Sequence, residues 1–245
     1  MITDILTVLW KEFKEIFLQR GSLRGGFFSV LLLLFVVGVF LPFQAGRAWV
    51  ENPLFLITWS WLPLFLVMGV VADSVAGERE RHTLETLLAS RLPERAILFG
   101  KLGAAVLYAW GTTAAGMLLA LATVNVTAHS GSLLLYPLPI AVGGLLLSLQ
   151  GSLLMACLGI LVSLRAETVR QAYQRLSAGF LILWFVPMLG LQFMPAEAKA
   201  GMISALSDME ATSVILAVGL FLCVIDGVLL ALLLSRFNRQ RLVLG

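Results

Sequence analysis

From Leu102 to Leu164 the chain carries no Asp, Glu, Lys or Arg. A run of that length is too long for one membrane-crossing helix, which needs roughly 20 apolar residues to cross the hydrocarbon core. It is interrupted at 125–139 by NVTAHSGSLLLYPLP, whose Gly, Ser and Pro residues signal a loop. The run therefore reads as two spans, near 97–124 and 138–164. Gly103, Ala104, Gly111, Ala114, Ala115 and Gly116 in the first of them, and Gly143, Gly144 and Gly151 in the second, allow close helix contact in lipid. With 13% charged residues and 60% apolar ones, the chain has about half the charge of a soluble domain.

Four further spans follow from the same signal. Gly25 to Gly46 is uncharged and gives a span near 27–43; Asn52 to Ala72 is uncharged and gives one near 53–75, with Trp59 and Trp61 in its outer part. A span near 176–194 contains Trp184 and Pro187, and one near 213–237 contains a single acid, Asp226. The expected fold is an all-α membrane protein of six transmembrane helices forming one domain over 1–245. The stretch 195–212 before the last span is mildly amphipathic and acidic.

Residues 3–20, TDILTVLWKEFKEIFLQR, place Ile5, Leu6, Leu9, Trp10, Phe13, Ile16 and Phe17 at helical spacing, with Lys11, Glu12, Lys14, Glu15 and Gln19 on the other face. This is an amphipathic helix too charged to span, expected to lie in the membrane interface. Its acids also break the pattern of a signal peptide. Of the 17 Lys and Arg residues, only Arg47 and Lys199 fall on one side of the six spans. The positive-inside rule then puts both termini in the cytoplasm.

One segment on that side is dense in charge. Between Asp73 and Lys101 lie Glu78, Arg79, Glu80, Arg81, Glu85, Arg91, Glu94 and Arg95. Gly77 frees the end of the second span. Thr83 starts a short helix with Leu84, Leu87 and Leu88 on one face and Glu85 opposite, and Pro93 with Glu94 suits the first turn of the next helix. The residues alone allow two readings: an element that docks into a soluble partner, or a charged hairpin that only sets topology.

Several chemistries are excluded. The two histidines, His82 and His129, lie in the charged segment and an outer loop, where neither can partner a serine at membrane depth. Cys157 and Cys223 sit in apolar runs with no metal-ligand spacing, so no metal site is expected. Gly100-Lys101-Leu102 lacks the Ser or Thr and the upstream glycine of a Walker loop, so the chain itself is not expected to be an enzyme or to bind a cofactor. The charged segment alternates in sign, unlike a nucleic-acid surface. Asn125-Val126-Thr127 matches a glycosylation triplet, a short pattern that recurs by chance. Asp226 is expensive at mid-bilayer. It is either a polar contact used in transport or an acid hydrogen-bonded to a neighbouring helix, with Gln150 the candidate partner.

The run GERERHTLETLLASRLPERAILFGKL resembles the hallmark segment of ABC-2-type permeases, the membrane subunits of ATP-binding-cassette exporters. The matching positions are Gly77, Glu78, Arg79, Glu80, Thr83, Leu84, Glu85, Leu87, Leu88, Ser90, Gly100 and Lys101. His82 departs from the small residue often found there. The resemblance implies that 77–94 contains a coupling helix held in a groove of a separate ATPase, which binds ATP and Mg. Arg165, Glu167 and Arg170, in a loop at 165–175, would make a second cytoplasmic contact. It also implies a dimer, of this chain or with a paralogous permease, in a cell membrane. Two other functions keep the same topology: a secondary transporter, which should carry an internal three-plus-three repeat that is not evident, and a membrane scaffold without cargo.

Overall fold

The computed structural model describes residues 1–18, 23–83, 86, 89–127, 133–207 and 211–237. Among them every regular element is helical. The chain opens with α1 (Ile2–Leu18) and then α2 (Leu23–Phe35), which passes through a π-helical stretch, Val36–Phe40, into α3 (Leu41–Ala45). A short α4 (Ala48–Glu51) and one 3-10 turn, Pro53–Phe55, lead into α5 (Leu56–Ser74), followed by α6 (Ala76–Glu80). Then come α7 (Glu94–Thr127), α8 (Leu138–Ser163), α9 (Val169–Phe193), α10 (Ala196–Ser207) and α11 (Ala211–Arg236).

Six helical stretches are long and apolar enough to cross a membrane: Phe28–Ala45, Pro53–Glu80, Glu94–Thr127, Leu138–Ser163, Val169–Phe193 and Thr212–Arg236. The chain is a multi-pass membrane protein. The spans agree with those read from hydropathy to within a few residues, except the fifth. Its helix begins at Val169, two turns before the expected 176, because the Thr168 side chain accepts from the Gln171 amide at 3.2 Å and caps it. Arg170 and Arg175 therefore ride on the helix, and the expected loop at 165–175 contracts.

The core is built on α8, which packs against α5, α7 and α11, while the π-helical stretch and α3 lie along α7. The second, third and fourth spans are about half buried, at 56%, 44% and 50%, against 17%, 11% and 17% for the first, fifth and sixth. The inner three are thus packed by protein and the outer three mostly by whatever surrounds the chain. Glycine permits the closest of these contacts. A Cβ at Gly159 would fall 2.7 Å from the Cβ of Val71, so α8 and α5 touch nearly backbone to side chain there. A Cβ at Gly100 would fall 2.6 Å from the Cβ of Val8, which seats α1 on the start of α7.

The π-helical stretch has a local reason. Its wider turn displaces a carbonyl from the regular ladder, and Thr123 Oγ1 on α7 shares its proton between the Gly38 carbonyl and the Leu119 carbonyl of its own helix, each at 2.9 Å. At the same end of the bundle Asn125 clasps the following segment, its Oδ1 accepting from the Leu134 amide at 2.7 Å and its Nδ2 donating to the Leu134 carbonyl at 2.9 Å. The asparagine of the glycosylation triplet is thus committed to holding the α7–α8 connection.

Candidate functional site

The charged segment lies at the other end of the bundle, where α5 stops. Helical hydrogen bonding breaks at Val75, and a serine from α8 repairs the break. Ser163 Oγ accepts from the amides of Val75 and Ala76 at 3.2 and 2.9 Å and donates to the Ala72 carbonyl at 3.2 Å. The chain turns into α6 without leaving those buried amides unpaired.

On α6 the four hallmark residues face inward more than outward. Gly77 lies against Asp73, whose carboxylate would overlap a Cβ there; Arg81 Nη1 reaches that carboxylate at 3.2 Å. Glu78 is buried. Arg79 donates to the carbonyls of Ala166 at 2.5 Å and Leu164 at 3.1 Å. Glu80 Oε2 accepts from the Val169 amide at 3.1 Å, placing an acid at the start of α9 where the helix dipole favours it. The two stretches expected to make separate cytoplasmic contacts, 77–80 and 165–170, are therefore one braced unit. In the second stretch the Glu167 amide donates to Gln171 Oε1 at 2.9 Å, and the Arg165 and Arg170 side chains are exposed.

The helix ends in a turn that explains the departure at His82. The Thr83 amide donates to the Glu78 carbonyl at 2.9 Å, and His82 has φ of 57°. That left-handed position after a helix favours a small residue, glycine above all. Thr83 is exposed. Leu84, Glu85, Leu87 and Leu88, expected to carry the docking face, lie outside the described residues.

Glu78 meets a lysine whose role the sequence reading did not assign. Lys101, near the start of α7, is buried, and its ammonium donates to Glu78 Oε1 at 2.9 Å, Glu12 Oε1 at 2.9 Å and the Ser74 carbonyl at 2.8 Å. All three N–H bonds are used. Lys11 adds a second cation, 3.2 Å from Glu78 and from Glu15 and 3.5 Å from Glu12. Burial lowers the Lys11 pKa, but the carboxylates of Glu12, Glu78 and Glu15 outweigh it and leave the value raised. The cluster ties α1, α5, α6 and α7 together at one point. Glu12, placed by periodicity on the polar outer face of α1, is instead on its buried side, while Ile2, Leu6 and Trp10 are exposed. The one available signal was position: Lys101 stands immediately before the long uncharged run.

At membrane depth Asp226 on α11 is buried, and neither carboxylate oxygen has a hydrogen-bond partner among the described residues. Gln150 does not serve it: its Nε2 donates to the Gly219 carbonyl at 2.8 Å, two turns earlier on α11.

A search of curated proteins finds no match to this chain. A family model described as ABC-2 family transporter protein matches residues 62–203, more than half of the sequence and all of the braced segment. The spans, the segment and this match together place the chain in that family: it is a member of the ABC-2 transporter proteins, the membrane part of an ABC transporter.

Proposed function

We propose that the chain is a single-domain permease subunit, 1–245, which exports its cargo using ATP hydrolysed by a separate ATP-binding-cassette subunit. Both termini and α6 then face the cytoplasm of the cell, and the ATPase binds ATP with Mg. The observation that carries this reading is the bracing of the charged segment. Arg79 and Glu80 hold it to the turn before α9, and Glu78 with Lys101 holds it to α1 and α7. A segment tied to that many spans can pass a push from a docked protein into the membrane, which a topology-setting hairpin has no need to do. The docking face belongs to Thr83–Leu88, while Gly77–Glu80 positions it and Arg165, Glu167 and Arg170 extend the same platform.

A second copy of the chain would complete the cargo path along α9. Every residue from Leu181 to Phe193 is exposed within one chain, although Trp184 still stacks edge-on with Trp61 at 4.4 Å.

Affinity purification of the tagged chain from its native membrane tests this. An ATPase carrying a Walker loop should accompany it, with ATP hydrolysis by the complex and none by the chain alone. Glu85→Lys should lower ATP-driven transport about thirtyfold, the size of a lost interface hot spot of about 2 kcal/mol, while the protein still inserts. Transport by the chain alone in proteoliposomes, driven by an ion gradient, would overturn the reading.

Asp226 separates a transport role from a packing role. An unpaired acid at this depth costs about 2.5–3.5 kcal/mol on insertion scales, so Asp226→Leu should raise the thermal midpoint. If the acid serves transport, the same variant and Asp226→Asn should slow transport while the protein accumulates normally. Undiminished transport in both would leave Asp226 no such role.

A further inference from the structure

The ends of α8, α9 and α11 that lie beside the charged segment border a half-open cavity of about 530 Å³. Three arginines from three separate segments line it: Arg165 just after α8, Arg175 on α9 and Arg236 at the end of α11. Leu158, Leu161 and Leu232 form part of its wall. Arg175 is drawn towards the lip of α8, its Nη1 donating to the Arg165 carbonyl at 3.3 Å. Among the described residues no carboxylate forms an ion pair with any of the three guanidiniums. Among the described residues no acid lines the cavity either.

A single arginine at the end of a span has ordinary uses. It complements the negative end of the helix dipole and carries its stem along apolar surface to the headgroup layer. Three arginines facing one cavity go beyond that, because like charges brought together repel unless an anion lies among them. The wall adds a second requirement. Leu158 and Leu232 belong to membrane-spanning helices and are exposed, so the cavity opens towards hydrocarbon as well as towards headgroups. A soluble anion would satisfy the arginines and leave the leucines bare; a neutral lipid would do the reverse. An anionic headgroup on an acyl chain matches both surfaces at once.

We propose that this cavity binds one anionic phospholipid from the adjacent leaflet, the cytoplasmic one in the reading above. Its phosphate lies among Arg165, Arg175 and Arg236, and an acyl chain runs along Leu158, Leu161 and Leu232. The bound lipid bridges three helix ends that few direct polar contacts join. Binding needs no ATPase, so its test is independent of the proposed transport cycle.

The full chain in detergent is titrated with phosphatidylglycerol or with phosphatidylcholine of identical acyl chains, read by native mass spectrometry and by thermal midpoint. Phosphatidylglycerol is expected to be retained and to raise the midpoint, and phosphatidylcholine to do neither. Each of Arg165→Gln, Arg175→Gln and Arg236→Gln should weaken phosphatidylglycerol binding about fivefold, the contribution of one basic residue near a lipid surface. The triple variant should lose the preference, and Leu232→Trp should weaken binding by obstructing the wall. Arg95→Gln, an exposed arginine elsewhere at the same end, should leave binding unchanged. A preference that survives the three single variants would overturn the proposal. So would an equal loss in Arg95→Gln, which means diffuse surface attraction, or competition by inorganic phosphate at concentrations matching the lipid's, which means an anion site without an acyl channel. Arg236 makes no hydrogen bond or ion pair among the described residues, so Arg236→Gln alone keeps the test valid if the triple variant does not fold.

Discussion

Lys101→Met is expected to lower the thermal midpoint of the purified protein by about 10 °C, from a loss of about 3–5 kcal/mol. The lysine is buried with both of its carboxylate partners, and every N–H of its ammonium is used. Removing it leaves Glu12 and Glu78 close together in a dry site with only the half-exposed Lys11 to offset them. Breaking a buried ion pair from one side is far worse than removing the whole set, because the remaining charge stays desolvated. The control follows from that asymmetry. Lys101→Met combined with Glu12→Gln and Glu78→Gln should recover most of the lost stability, and Lys101→Arg should not, since a planar guanidinium cannot direct three bonds as the ammonium does. A Lys101→Met protein as stable as the wild type would mean the cluster does not brace the segment. Because the cluster joins α1 to α6, the single variant should also expose the 76–83 stretch to limited proteolysis.

The second large effect is expected at Ser163. Replacing it with alanine strips the acceptor from two buried amides, Val75 and Ala76, at the point where α5 gives way to α6. An orphaned buried amide costs about 1–3 kcal/mol, so the loss should be about 2–4 kcal/mol by chemical denaturation. Ser148 and Ser152 provide the comparison. They sit on the same helix and are equally buried, but each hydroxyl only donates back to a carbonyl of its own helix, Leu145 and Leu149 respectively. Alanine at either should cost well under about 1 kcal/mol. If all three substitutions cost the same, the hydroxyl of Ser163 is not what repairs the break.

These two residues mark where reading the sequence stops. The spans were legible because each is a contiguous apolar run, and membrane crossing depends on local hydropathy. The charged segment was legible because its residues are adjacent and match a family pattern. Its internal arrangement was not. Glu78, Arg79 and Glu80 look in sequence like an outward charged turn, yet each has a partner far along the chain, Lys101, Leu164 with Ala166, and Val169. Glu12 fell on the polar face of α1 by periodicity, because periodicity assumes that charge seeks water. It was overruled by a lysine 89 residues away.

Span five shows the same division on a smaller scale. Its apolar stretch was visible, but its start depended on the Thr168 cap and on Arg170 and Arg175 lying along the first turns of a helix already anchored to α6. Asp226 was recognisable as an anomaly from its position alone. That Gln150 is occupied by the Gly219 carbonyl, and that the acid finds no hydrogen-bond partner among the described residues, depends on how α8 and α11 pack.

The sequence by itself determined the membrane class, the six spans, the expected sidedness and the family, because each rests on short-range composition, on one local pattern or on a count of charges. The tertiary structure decided what the charged segment is attached to. A buried ion cluster and a repaired helix break bring together residues from α1, α5, α6, α7 and α8, and no local rule specifies such a meeting: each of those side chains is acceptable in water on its own, and only packing removes the water and requires the partner.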